Sequence, residues 1–166
     1  SGAAPLSFAQ ERLWFLDQLD PGNSVYHIRR AFRLSGPLVL RPLARALNAV
    51  VRRHDILRTS FPALDGSPVQ RIAPAGRDTI PLIDLRRLAA GVRDAEALRL
   101  ADEEAGVKFS MADGPLWRCR LIRLGKTKHV LLLTVHQILL DGWSLGLFFR
   151  EIETLYESFS ARRPAA

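Results

Sequence analysis

The residues with the clearest chemical potential lie between Val135 and Ser144, where a histidine, an amide and an acid stand close together. His136 and Gln137 directly follow an apolar run, and Asp141 and a glycine precede a strongly amphipathic segment. This layout predicts polar side chains at the end of a buried strand, beside the N–H groups of a helix start. A lone histidine at a strand end is as often a core residue, so this segment alone does not decide the function.

Two other segments carry polar residues, and each has a sufficient structural interpretation. Ser7 to Trp14 opens with Ser7-x-x-Gln10, the pattern of a capping box, in which serine and glutamine satisfy each other's backbone N–H groups. Arg53 to Phe61 joins a helix end to a strand, and its cations suit the negative end of the helix dipole. In isolation neither segment requires a function, and His54 is explained by the helix end.

Composition and motifs argue against several function classes. The sequence has no Gly-x-Ser-x-Gly elbow, no His/Cys cluster at metal-ligand spacing and no phosphate-binding loop, so serine hydrolysis and metal binding are poorly supported. The net charge of +7 comes from scattered arginines rather than a basic run interleaved with aromatics, which argues against nucleic-acid binding. No apolar run is long enough to cross a membrane. Single Cys119 predicts a buried core thiol and, with no secretory leader, an intracellular, cytoplasmic setting.

Hydrophobic periodicity predicts an α/β fold with a mixed β-sheet flanked by helices. The predicted helices are Phe8–Leu19, Arg41–His54, Asp94–Val107 and Leu145–Phe159. The predicted strands are Tyr26–Leu34, Ile56–Phe61, Pro68–Ile72, Ile80–Leu85, Leu116–Leu124 and Lys128–His136, with the second and third forming a hairpin around residues 64–67. One domain accounts for the whole chain of 166 residues.

In this order and spacing, the three polar segments resemble the first three core motifs of nonribosomal peptide synthetase condensation domains. Those motifs read SxAQxRLWxL, RHExLRTxF and MHHxxxDGxS, and they match Ser7 to Leu16, Arg53 to Phe61 and Val135 to Ser144. The resemblance covers nearly the whole chain. It implies one of the two chloramphenicol-acetyltransferase-like lobes that surround a tunnel in this family. Because the family's later motifs are absent, residues 1–166 resemble the N-terminal lobe alone, either as a dissected fragment or as a natural half-domain.

The resemblance implies a reaction and a role for each motif residue. In the family, an acceptor amine attacks a donor thioester to form an amide, and carrier proteins present both substrates on phosphopantetheine arms, with no other cofactor. The implied partners are these carrier proteins and a C-terminal condensation lobe. His136 corresponds to the structural first histidine, with Trp143 and Ser144 beside it in the motif. The resemblance also implies that Asp141 pairs with Arg58, and that the Gly142 N–H lies near the reacting carbonyl.

Gln137 occupies the position of the second histidine, to which the family's chemistry is assigned. A primary amide does not titrate near neutral pH, so Gln137 cannot act as a general base, and losing a base costs about 100- to 10,000-fold in rate. His136 cannot replace it, because adjacent strand residues point to opposite faces. We therefore expect an impaired or inactive site in which Gln137 only positions substrate. A degenerate lobe that docks carrier proteins is the alternative, and whether the chain is itself an enzyme stays open.

Overall fold

The computed structural model of the chain describes residues 4–76, 80–140 and 142–161, with positions 142 and 143 described by their backbone alone. Its helices are α1 (Phe8–Leu19), α2 (Leu40–Arg53), α3 (Ala90–Gly106) and α4 (Gly142–Ser160). Its strands are β1 (His27–Ser35), β2 (Thr59–Ser60), β3 (Ala63–Leu64), β4 (Ser67–Pro68), β5 (Arg71–Ile72), β6 (Leu82–Asp84), β7 (Trp117–Arg123) and β8 (Lys128–His136). Short 3-10 turns cover Ser24–Tyr26 and Asp55–Arg58.

One mixed sheet of four strands, in the order β1-β8-β7-β6, organises the fold. β8 is antiparallel to both of its neighbours, and its pairing with β1 runs from His27 opposite His136 to Ser35 opposite Lys128. β6 is parallel to β7, so the connection between them crosses over through α3. The sequence-based prediction of an α/β fold with a mixed sheet flanked by helices is confirmed.

Helices cover both faces of this sheet because its central strands are apolar on both sides. On one face, alternate β8 residues such as Leu131 and Leu133 pack with the buried faces of α2 and α4. On the other face, Leu132 and Ile122 pack with Leu100 of α3. The near-continuous apolar run of β8 therefore indicates its central place, which fixes where its polar end lies.

The start of the first helix follows the predicted capping box. The Gln10 N–H donates to Ser7 Oγ at 3.4 Å, and the Ser7 N–H donates to Gln10 Oε1 at 2.9 Å. The predicted bounds of α1 are confirmed at both ends. α2 buries one face, formed by Leu43, Ala46, Leu47, Val50 and Val51, which recur at helical spacing.

The predicted hairpin and the third helix differ from the structure in extent. Residues 55–58 form a 3-10 turn rather than strand, since Thr59 Oγ1 donates to the Asp55 carbonyl at 2.9 Å and Arg58 pairs with the Asp55 carboxylate. The rest divides into two short ladders, β2 with β5 and β3 with β4. Pro62, between β2 and β3, has no N–H to extend the first ladder. α3 begins at Ala90, four residues before its predicted start.

The structure bears on two expectations from the sequence: a buried thiol at Cys119 and the lack of a membrane-spanning segment. Cys119 lies on β7, partly buried and packed against the core, and burial followed by the nearby Glu104 charge raises its thiol pKa to about 12. The thiol is therefore protonated at neutral pH, as a core thiol should be. Within the described ranges, no helix combines the length and apolarity that crossing a membrane requires.

Candidate functional site

The turn that follows β8 is held together by the side chain of His136. The Ile138 N–H donates to His136 Nδ1 at 3.1 Å, and the Leu139 N–H donates to the His136 carbonyl at 3.0 Å. Between them, the Gln137 N–H donates to the Tyr26 carbonyl at 2.8 Å, which fixes this residue against the start of β1. The Gln137 side chain is exposed, whereas His136 is buried with 2% of its surface accessible. The two side chains therefore have opposite environments, as expected for successive residues at a strand end.

His136 is a neutral imidazole in this arrangement. Burial, followed by the nearby His27, lowers the pKa of His136 from 6.5 to about 4. Because Nδ1 accepts a hydrogen bond, the single ring proton resides on Nε2. A buried ring with one nitrogen committed to the backbone has no access to an exposed substrate. This geometry supports a structural role for His136.

His27 lies directly opposite His136 across the β1–β8 pair, and sequence reasoning did not single it out. Its ring meets the His136 ring edge-on, with centroids 5.6 Å apart, and meets the Phe109 ring edge-on at 4.8 Å. Burial, then the charges of Arg29 and Arg118, lower the pKa of His27 to about 4. This contact follows from the register in which β1 pairs with β8, which the sequence does not show. The one feature visible in the sequence is that His27 stands at the start of a predicted strand.

α4 begins at Gly142, three residues before its predicted start at Leu145 and immediately beyond the candidate turn. Backbone N–H groups in the first turn of a helix lack intrahelical acceptors and can bind an oxyanion. Ser144 is half-buried in this first turn. Asp141 lies outside the described residues, and Gly142 and Trp143 are described by backbone alone, so the roles predicted for these three residues stay predictions.

Arg58 is held by the backbone around it. Its Nε donates to the Val51 carbonyl at 3.1 Å, and its two terminal nitrogens donate to the Ala73 carbonyl and the Asp55 carboxylate. This side chain therefore ties the end of α2 to the chain after β5. Its predicted pairing with Asp141 falls outside the described residues and remains a prediction.

Two indole groups bring the three motif segments into one body. Trp14 Nε1, in the first segment, donates to the Phe61 carbonyl of the second at 2.9 Å. Trp117 Nε1, on β7 beside β8, donates to the Leu57 carbonyl at 2.9 Å. The second segment is therefore fixed between α1 and the sheet that carries the third. These two bonds join residues that are 47 and 60 positions apart in sequence.

The chemistry available at the turn is that of an exposed amide beside a helix start. The Gln137 amide can donate and accept hydrogen bonds, but it does not exchange a proton near neutral pH. Among the described residues, no group of three His, Cys, Asp or Glu side chains is arranged to hold a metal ion. The arrangement can therefore position a polar reactant. The exposed side chain of the turn, that of Gln137, does not titrate near neutral pH.

Comparison with known proteins gives the same family from sequence and from structure. The condensation domain family model matches residues 1–166. Chondramide synthase cmdD of Chondromyces crocatus is 47% identical over 161 residues, which are 97% of this chain and 4% of that protein. The starter condensation domain of rhizomide synthetase RzmA superposes with a TM-score of 0.91 at 25% identity, covering all of this chain and 40% of that one. The first condensation domain of the calcium-dependent antibiotic synthetase, solved with a substrate analogue, gives 0.89 at 27% identity, again covering all of this chain and 40% of that one.

Proposed function

Since the chain belongs to the condensation domain family of nonribosomal peptide synthetases, we propose that it supplies the N-terminal lobe of an amide-forming condensation domain whose site is impaired at position 137. The reaction joins a donor acyl or peptidyl thioester to an acceptor aminoacyl thioester. Carrier proteins present both substrates on phosphopantetheine arms, so the lobe needs no cofactor of its own. The acceptor amine attacks the donor carbonyl, and the donor's thiol leaves.

The observation that carries this proposal is the contrast between His136 and Gln137. The buried, neutral His136 holds the turn through the Ile138 N–H, and the exposed position beside it carries an amide. A histidine at position 137 would be exposed and able to take a proton from the acceptor amine as it attacks. Gln137 can accept a hydrogen bond from that group without removing the proton. Positioning alone leaves some turnover.

Two further observations support the assignment of this chain to one lobe of a larger domain. The chain spans 40% of each of the two solved condensation domains described above. α1 also carries large apolar side chains that are exposed, namely Phe8 at 91%, Phe15 at 59% and Leu19 at 68%. Their spacing places them along one side of the helix, and exposed apolar side chains of this size are frequent at interfaces.

Amide formation by a complete domain that contains this chain tests the proposal. With donor- and acceptor-loaded carrier proteins, Gln137→His should raise the rate by about 100- to 10,000-fold, the range a general base supplies. Gln137→Ala is the matched control, because it removes the amide and should lower the residual rate. A Gln137 domain as fast as its Gln137→His variant would contradict the proposed impairment.

A second function, docking of carrier proteins without catalysis, is favoured by the charge on β1. Arg29, Arg30 and Arg33 are exposed on this edge strand, and the chain has a net charge of +7. Such a surface suits an acidic carrier protein. If neither Gln137 nor Gln137→His supports amide formation while carrier binding persists and weakens with salt, docking is the better description.

A further inference from the structure

Three buried ring nitrogens at the end of the sheet have no hydrogen-bond partner among the described residues. They are both nitrogens of His27 and Nε2 of His136. Both rings are at least nine-tenths buried, with 9% and 2% of their surface accessible. Buried polar atoms without partners cost free energy, so native structures rarely leave several together without a function.

The His27 and His136 rings meet edge-on. In the described part of the chain, His27 is the nearest of the aromatic rings that His136 contacts. The His27 centroid lies 5.6 Å from that of His136, whereas the Tyr26 and Phe109 rings lie at 6.4 and 6.5 Å. His136 Nδ1 is committed to the Ile138 N–H, so the ring proton on Nε2 needs an acceptor. His27 offers two nitrogens beside it.

His27 also contacts a second aromatic ring. Phe109 meets the His27 ring edge-on, and the guanidinium of Arg118 stacks on Phe109 at 4.0 Å from its centroid. Arg118 in turn is bonded to the buried carboxylate of Glu104 at 2.6 Å and to the Val107 carbonyl at 2.7 Å. A continuous set of contacts therefore runs from the end of α3 to the turn after β8.

We propose that His27 is a positioning residue for the turn that carries Gln137. In this role one His27 nitrogen accepts the His136 Nε2–H, after a change in ring orientation, and the bond keeps Nδ1 directed at the Ile138 N–H. The turn, and with it the exposed side chain at position 137, then keeps one orientation. The importance of position 137 for amide formation rests on the proposed function, whereas the support given to the turn by His27 does not.

The experiment measures the turn directly in the 166-residue chain. His27→Phe keeps an aromatic ring and removes both nitrogens. The Ile138 amide should then exchange with deuterium about tenfold faster relative to the Leu132 amide in the middle of β8, as for loss of one hydrogen bond. The nitrogen-15 shifts of His136 should indicate a mixture of tautomers instead of the single Nε2–H tautomer. His27→Asn, which keeps a hydrogen-bond acceptor, should show most of the Ile138 protection of the parent chain.

His129→Phe is the matched control. His129 is buried, and like His27 it has an unpartnered ring nitrogen among the described residues. It lies on β8, at the opposite end from His136. This variant should leave Ile138 exchange and the His136 tautomer unchanged. Should His27→Phe fail to fold, His27→Leu, which is smaller and also lacks nitrogens, carries the same test.

The proposal is overturned if a folded His27→Phe or His27→Leu variant keeps both the Ile138 protection and the His136 tautomer. Equal acceleration at Ile138 and Leu132 would also overturn it, since that result describes general loosening of the sheet. Amide formation takes no part in these readouts. A failure of the proposed function would therefore leave them unchanged.

Discussion

At its N-terminal end β8 follows a tight hairpin made by backbone hydrogen bonds, whereas at its C-terminal end the chain turns around a histidine side chain. In the hairpin, the Leu124 and Gly125 N–H groups both donate to the Lys128 carbonyl, at 2.9 and 3.1 Å. In the turn, His136 Nδ1 takes the place of a backbone acceptor. Both ends hold a buried histidine, but His136 Nδ1 accepts the Ile138 N–H, whereas His129 Nδ1 has no partner among the described residues. A change at that end therefore reaches position 137.

The largest difference should come from removing each ring. His136→Ala and His129→Ala each empty a buried site, and we expect each to lower the free energy of unfolding by about 3 kcal/mol. His136→Ala should cost more, because the Ile138 N–H also loses its acceptor. Urea denaturation measures the loss, and deuterium exchange at Ile138 separates the two ends. Equal deuterium exchange at Ile138 in His136→Ala and His129→Ala would contradict the proposed difference between the two ends of β8.

Acidification should weaken the C-terminal end by protonating His136. Its pKa is lowered from 6.5 to about 4, so the folded state binds fewer protons than the unfolded state between these values. The contribution is fully present above pH 6.5 and is lost as the pH falls toward 4, by an amount on the order of 3 kcal/mol. Burial also lowers the pKa of His27 to about 4 and lowers the pKa of His129, and both shifts add in the same direction.

Unfolding free energies measured over this pH window test the assignment. Other groups titrate near its lower limit, so the comparison is with His136→Asn, which has no titrating ring. We expect the variant to lose the His136 share of the pH dependence and to keep the share that comes from His27. The same slope in both proteins would contradict a neutral, buried His136.

The smallest effect should come from the ion pairs that attach α4 to α2. Glu151 accepts from Arg53 Nη1 at 2.5 Å and lies 2.6 Å from His54 Nε2, and both partner side chains are exposed. Exposed pairs contribute little, so Glu151→Gln should lower the free energy of unfolding by less than about 1 kcal/mol. Glu153→Gln, on the exposed side of the same helix, is the control. A loss of several kcal/mol at Glu151 would mean that α4 depends on this contact.

The regular elements could be predicted from sequence because each carries a local signal. The capping box at Ser7 fixes the start of α1, and the apolar spacing of α2 gives its buried face. The 3-10 turn at residues 55–58 and the early start of α3 had no such signal. They coincide with side chain to backbone bonds, from Thr59 Oγ1 to the Asp55 carbonyl and from Arg93 to the Leu88 and Leu124 carbonyls.

The site divides in the same way. His136 and Gln137 could be located from their place after an apolar run, and their opposite environments follow from strand geometry. His27 could not, since its contact with His136 depends on the pairing of strands that are about 100 residues apart. The same holds for Arg118, which reaches Glu104 and Phe109 only in the folded chain.

The most direct test of the impaired site is the pH dependence of amide formation by the complete domain, measured for Gln137 and Gln137→His side by side. The ratio of the two rates removes titrations they share, including that of the acceptor amine. If position 137 lacks a base, the ratio should rise with pH through the pKa of the introduced imidazole, ordinarily about 6.5, and then level off. A ratio near one at every pH would contradict the account.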